Sequence, residues 1–143
     1  MRAAAIDLGA VRVGVAVADE LGMLAHPRPP LSGRDAGRLV EALNELAVAE
    51  GIDIFVVGLP RRLDGKEGRE ARAARLIAAR LAERTRCRVE LVDERFSTHE
   101  AERRLTEQGL AGRERRARID SASAAVLLQS WLDSRSLGSQ SGA

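Results

Sequence analysis

Three acidic positions fall where carboxylate chemistry needs them. Asp7 closes the apolar run AAAID and is the only polar side chain of that stretch. Asp93 and Glu94 end a second apolar run, VELVDE, and Asp120 stands at the head of DSASAAVLLQSWLD. A carboxylate inside an apolar strand is costly to bury unless it is paired or ligates a cation. Hard oxygen donors of this kind suit Mg2+ or Mn2+, which keep several waters and so need few carboxylates. Two such ions ~3.5–4 Å apart activate a water and stabilise the leaving oxygen in phosphodiester hydrolysis. Each acid taken singly also has a plain structural role; Asp120 at a helix start caps it and complements its dipole.

Basic residues surround these acids in sequence. The formal charge is only +2, but Lys66 is the one lysine among 23 basic residues, and the rest are arginine. Residues 113–118 read RERRAR, placing Arg113, Arg115, Arg116 and Arg118 just before Asp120. Arg61 and Arg62 form a second knot, Arg103 and Arg104 a third, Arg95 follows Glu94, and Arg12 lies close after Asp7. Guanidinium forks bind phosphate bidentately and stay charged at any relevant pH. Such clusters are the electrostatic footprint of a nucleic-acid partner. By contrast, the arginines of 69–86 alternate with acids and alanines as on a solvated helix face.

Other chemistries lack their residues. His26 and His99 are the only histidines and Cys87 the only cysteine, too few for a zinc site or an internal disulfide. No G-x-S-x-G elbow, G-x-x-x-x-G-K-[ST] loop or G-x-G-x-x-G turn is present. No stretch reaches the ~20 apolar residues of a membrane span. The apolar start is interrupted by Asp7 and runs into an alternating pattern, so it reads as folded structure and not as an export signal. A cytoplasmic protein without a membrane partner is expected.

The elements that must position the acids follow from periodicity. Residues 2–8 form an apolar strand, and 11–18 alternate with Val11, Val13, Val15 and Val17 on one side, predicting an antiparallel hairpin. Residues 23–31, with Pro27, Pro29 and Pro30, are irregular or an edge strand. Residues 35–50 are helical and stop at Gly51. Residues 52–57 suit a strand covered on both faces, 58–68 a glycine-rich loop, 69–84 a helix and 89–92 another strand. Ser97 and Glu100 have capping-box spacing ahead of a helix ending near Gly109, and a last helix runs from about Asp120 to Asp133. The order predicts a mixed sheet with helices on it, in one domain over 1–135, followed by a flexible tail, 136–143. Ligands of such sheets bind at the carboxyl ends of the strands.

The stretches IDLGAVRVGVAVAD (6–19), VVGLPRRLDGKEG (56–68), VELVDERFSTHEAE (89–102) and RIDSASAAVLLQSWLD (118–133) together resemble the YqgF or RuvX family. These are bacterial nucleases described as Holliday-junction resolvase-like or as processing precursor 16S rRNA. The resemblance covers the chain except its tail. It implies an RNase H-like α/β fold, a mixed five-stranded sheet with an antiparallel N-terminal hairpin and flanking helices. It also implies a Mg2+ or Mn2+ site in which the family's acids fall on Asp7, Glu94 and Asp120. Adjacent strand residues face opposite sides, so Asp93 and Glu94 cannot both serve, and Glu94 is preferred. Two positions depart from the pattern: Leu8 stands where proline is common, and Ser123 stands where the related RuvC-type resolvases carry a fourth acid. Ser123 reads as helix filler.

The expected function is therefore metal-dependent phosphodiester hydrolysis, with structured RNA as substrate and the 5′ end of precursor 16S rRNA as target. Cleavage of branched four-way DNA is the alternative, and a non-catalytic nucleic-acid binder in ribosome assembly or transcription is the second. Arg12, Arg61, Arg62, Arg95, Arg113, Arg115, Arg116 and Arg118 are the expected phosphate contacts. A monomer or a homodimer is open; a junction resolvase needs two sites and hence a dimer.

Overall fold

A computed structural model describes residues 1–96, Ala101, Arg103 and 121–141. Among these, five strands form one sheet: β1 (Ala3–Leu8), β2 (Arg12–Ala18), β3 (Ala25–Ser32), β4 (Ile54–Leu59) and β5 (Arg88–Asp93). Their spatial order is β3-β2-β1-β4-β5. β1 pairs antiparallel with β2, and β2 with β3, whereas β1–β4 and β4–β5 are parallel. Helices α1 (Ala36–Glu50) and α2 (Arg69–Arg84) make the crossovers, a 3₁₀ turn (Glu94–Phe96) follows β5, and helix α3 (Ala122–Ser141) is last. This is the expected mixed five-stranded α/β architecture with its N-terminal hairpin.

Both faces of the sheet are covered, and the strand alternation says how. On one face Ile6, Val13, Val15, Val17, Phe55 and Val57 meet Leu39 and Leu43 of α1 and Ile77 and Leu81 of α2. On the other, Ala3, Ala5, Ala16, Ala18, Ile54 and Val56 meet Ala124, Leu127, Leu128 and Trp131 of α3. The first face carries bulky branched side chains and the second mostly alanine. Small residues let α3 lie close against the central strands. Each fully buried Leu, Ile or Phe contributes ~1.5–3 kcal/mol relative to exposure.

Local chemistry sets the element ends. Asp35 caps α1, its Oδ1 accepting from the Arg38 N–H at 3.1 Å, and Gly51 ends it with its N–H on the Ala47 carbonyl. The α2 arginines lie on the exposed face, where Arg75 pairs with Glu67 at 2.6 Å and Arg84 pairs with Glu41.

Strand β3 is the edge strand its prolines allow, and they give it a bulge. Val13 lies opposite Leu31 and Val15 opposite Arg28, so Pro29 and Pro30 together face Gly14 alone. Proline has no N–H for the ladder, and an extra residue on one strand breaks the pairing there. Ser121, buried just ahead of α3, fills the break. Its hydroxyl donates to the Arg28 carbonyl at 2.7 Å and accepts from the Val15 N–H at 2.9 Å. Farther along, the buried Gln129 accepts from the Ala25 N–H at 2.9 Å and donates to the Met23 carbonyl at 2.9 Å. α3 is thus bound to the hairpin edge by two polar side chains as well as by its apolar face.

Three boundaries differ from the sequence expectation. Val11 lies outside β2 and is half exposed, because the β1–β2 turn takes residues 9–11. Gly58 and Leu59 belong to β4 and not to the loop, since Gly58 pairs with Val92 and Leu59 with Asp93. The last helix runs on to Ser141, past Asp133. Extending a formed helix fixes one residue per bond, so weak formers such as Ser and Gly can be carried along. The Arg135 guanidinium sits 4.6 Å from the centre of the Trp131 ring on the same helix. The helix expected after Ser97 lies outside the described residues except at Ala101 and Arg103, both helical.

Candidate active site

β1 and β4 run parallel and end together, and the candidate site is built on those ends. Asp7 is the penultimate residue of β1 and is partly buried. It follows Ala3 and Ala5 on the α3-facing side, by strand alternation. Beside it on β4 is Gly58. A Cβ at Gly58 would come within 3.7 Å of the Asp7 Oδ1 and 3.2 Å of the Leu127 Cδ2. The missing side chain is what leaves Asp7 room between strand and helix.

Ser123, in the first turn of α3, donates its hydroxyl to the Asp7 carboxylate. Burial pushes the Asp7 carboxyl above its ordinary range, and the Ser123 hydrogen bond partly offsets that. The expectation that Ser123 is helix filler is therefore corrected: it touches the candidate acid directly. Its hydroxyl lies where the helix start meets the end of β1, and Ser121 two residues earlier fastens that start to the sheet.

Glu94 opens the 3₁₀ turn after β5. Its carboxyl is also pushed up, first by burial and then by the negative charges of Asp7 and Asp93. Asp7 and Glu94, from the two ends of the sequence expectation, are thus close enough to repel. Asp93 goes elsewhere. It accepts from the Arg95 backbone N–H at 2.9 Å and from the Arg95 guanidinium at 2.8 Å, and Arg61 Nε approaches to 3.3 Å. The Arg95 hydrogen bonds, and less so the Arg61 charge, hold the Asp93 carboxyl down at about 2. The Arg61 Nε contact is an ion pair only, because that buried nitrogen has no hydrogen-bond acceptor.

The expected phosphate ligands divide accordingly. Arg95 is committed to Asp93, and Arg61 is shared between Asp93 and Glu67, 3.5 Å away. Arg62 is exposed, 3.6 Å from Asp64, in a turn closed by its N–H on the Lys66 carbonyl. Arg12 is exposed at the start of β2. Asp120 and Arg113, Arg115, Arg116 and Arg118 lie outside the described residues. Among the described residues no three His, Cys, Asp or Glu side chains gather as a cation site. The described part of the candidate centre is Asp7, Glu94 and the Ser123 hydroxyl. Sequence reasoning passed over Gly58; it noted Ser123 only as standing where the related resolvases carry a fourth acid, and read it as helix filler.

These oxygens are hard donors, and two mutually repelling carboxylates are the electrostatic situation that a divalent cation relieves. The donor set therefore fits Mg2+ or Mn2+ and offers no nitrogen or sulfur ligand.

A family model for RuvX, described as Holliday junction resolvase, matches residues 1–134. A protein of Anaeromyxobacter sp. (strain Fw109-5) named "Putative pre-16S rRNA nuclease" is 46% identical over 139 residues, covering 94% of this chain and 98% of its own. A protein of the same name from Symbiobacterium thermophilum is 39% identical, with 94% of each chain covered. Among solved structures, T. thermophilus RuvC in complex with a Holliday junction substrate superposes with a TM-score of 0.63. It is 17% identical, covering 94% of this chain and 95% of that one, so the likeness is one of fold. No helix among the described residues is long and apolar enough to cross a membrane.

Proposed function

The chain belongs to the RuvX family of Holliday junction resolvases, and from that premise we propose that it is a divalent-metal-dependent nuclease. Its substrate is structured RNA, and its target is the 5′ end of precursor 16S rRNA. The target rests on the name carried by relatives 39–46% identical over nearly the whole chain, and a cytoplasmic location is part of the same proposal. The observation that carries the chemistry is the approach of Glu94, after the end of β5, to Asp7 near the end of β1, where the Asp7 charge raises the cost of ionising Glu94.

In this reading Asp7, Glu94 and Asp120 hold Mg2+ or Mn2+. When bound there, a divalent cation lowers the pKa of a water and offsets charge on the phosphodiester oxygens. The protein's own groups do the rest. Ser123 fixes the Asp7 carboxylate by hydrogen bond, and Arg95 and Arg61 keep Asp93 ionised but engaged, so that Glu94 alone of the adjacent pair faces the site. Arg12, Arg62 and the 113–118 segment supply phosphate contacts.

The family description and the RuvC-like fold favour a second reading, resolution of a four-way DNA junction, which requires a homodimer. Cleavage of matched rRNA-precursor and junction substrates in Mn2+, by the wild-type protein and by Asp7→Asn, separates the two. Precursor cleavage that falls at least ~100-fold in the variant supports the first. Junction cleavage by a dimer, without precursor cleavage, supports the second. Precursor binding with no cleavage by either protein overturns both in favour of a non-catalytic binder.

A further inference from the structure

A cavity of about 370 Å3 opens at the hairpin edge of the sheet, lined by Val11, Arg12, Pro30, Leu31, Ser32 and Arg34. It is separate from the basic turn at Arg61 and Arg62, which follows β4 on the other side of β1. Among the described residues, two that bear a guanidinium and no acid line it. Asp35, next along the chain, is engaged by the helix it caps: Oδ1 accepts from the Arg38 N–H, and Oδ2 lies 3.9 Å from the Arg38 guanidinium. Arg34 is exposed and forms no ion pair among the described residues.

The walls are held in place by backbone. The Gly33 N–H donates to the Val11 carbonyl at 2.8 Å, and the Gly9 N–H donates to the Arg12 carbonyl at 2.9 Å. A Cβ at Gly9 would sit 2.6 Å from that carbonyl, so this turn admits only glycine without moving Arg12. The Arg34 N–H donates to the Ser32 hydroxyl at 3.3 Å. Register fixes the distance to the acids. Asp7 is opposite Gly14, and Arg12, two residues nearer the strand end, is opposite Ser32 on β3. At ~3.4 Å per residue and ~4.8 Å between strands, the Asp7 and Arg12 backbones lie within roughly 10 Å of each other.

We propose that this groove is a subsite for the sugar–phosphate backbone of a single nucleic-acid strand flanking the cleavage point, with Arg34 as a phosphate ligand and Val11, Pro30 and Leu31 against the sugars. The inference rests on the nuclease reading and extends it. The chemistry selects a single strand. Phosphates and sugars are exposed in either form, but a duplex keeps its base faces paired and stacked, so only a single strand can also lay a base against the apolar lining. Val11 is half exposed in the turn that opens the groove, an apolar surface with an occupant of this kind to cover it.

The test uses the full chain carrying Asp7→Asn, so that binding is read without chemistry. The probe is a fluorescein-labelled 12-nucleotide RNA, single-stranded or annealed to its complement, followed by anisotropy across a salt series. Arg34→Ala is expected to weaken single-strand binding several-fold and to flatten the log K against log salt slope by ~0.7, the value for one phosphate on a single strand. Arg34→Lys is expected to keep most of the slope, and Arg38→Ala, on the neighbouring helix outside the groove, to change neither quantity. An unmoved slope in Arg34→Ala overturns the subsite, as does an equal loss in Arg38→Ala. A larger loss on duplex than on single strand overturns the strand assignment. Failure of the nuclease reading looks different: cleavage by the otherwise wild-type protein that survives Asp7→Asn sinks that reading while leaving the slopes as they are.

Discussion

Asp7 shows what it costs to bury a single carboxylate beside the end of a strand. Its carboxyl is pushed up because it is partly buried, and Ser123 returns only part of the lost solvation. A carboxyl whose folded pKa lies above the unfolded value contributes most below the unfolded value, ~3.8, and that contribution is lost as pH rises through the folded one. In chelator at pH 7 the wild-type protein therefore carries the full penalty, and Asp7→Asn carries none. The variant is expected to melt higher than the wild type at pH 7. That gap should close near pH 3. Thermal melts across this range check it, and a variant less stable than wild type at pH 7 would contradict the burial argument. The sequence made Asp7 legible because a lone acid in an apolar strand stands out. It made Ser123 illegible, because a small polar residue in a helix has many uses and only the helix's placement against β1 selects one. Alternation told only that Asp93 and Glu94 would not share a side, the preference for Glu94 came from the family resemblance, and the partners that engage Asp93 were not legible: Arg61 is distant in sequence.

At the scale of elements, the site depends on how the start of α3 is fastened. Ser121 satisfies two backbone groups that the proline bulge leaves without ladder partners, Val15 N–H and Arg28 C=O. Removing the hydroxyl leaves both unpaired, one of them buried, at a cost of ~1–3 kcal/mol for a buried unsatisfied group. Ser121→Ala is expected to lose about 2 kcal/mol in urea unfolding; a change under ~0.5 kcal/mol would show that water or a backbone shift replaces the bond. The strands and helices themselves were readable, because runs such as IDIFVV and stripes such as Ala74, Ile77, Ala78 and Leu81 carry the period of their element. Their ends were less so. Gly58 looks like a loop residue in sequence, yet it pairs in register with Val92 and gives Asp7 its space. The bulge was hidden too: prolines announce an edge strand, but which residue fills the break is decided across more than ninety residues of chain.

For the whole molecule, the sheet order places β1 at the centre, so its carboxyl end lies between the hairpin edge and the β4–β5 edge. Arginines flank both sides, Arg12 and Arg34 on one and Arg61 and Arg62 on the other. A net charge of +2 conceals this arrangement, because acids pair with the exposed arginines of α2, as Glu67 does with Arg75 and Glu41 with Arg84. If the 113–118 segment also meets the backbone of the substrate, neutralising Arg115 and Arg116 together should weaken RNA binding and flatten its salt slope by ~1–2 units. An unchanged slope would place that segment away from the substrate. The mixed sheet was legible in the order of elements, whereas the approach of Asp7 to Glu94 required strand order as well as strand identity. That approach is tested most directly by calorimetric titration of Mn2+ into the chelator-treated wild-type protein, Asp7→Asn and Glu94→Gln. The account predicts binding by the wild type and at least a tenfold loss of affinity in each variant; Mn2+ affinity equal in all three proteins would contradict it.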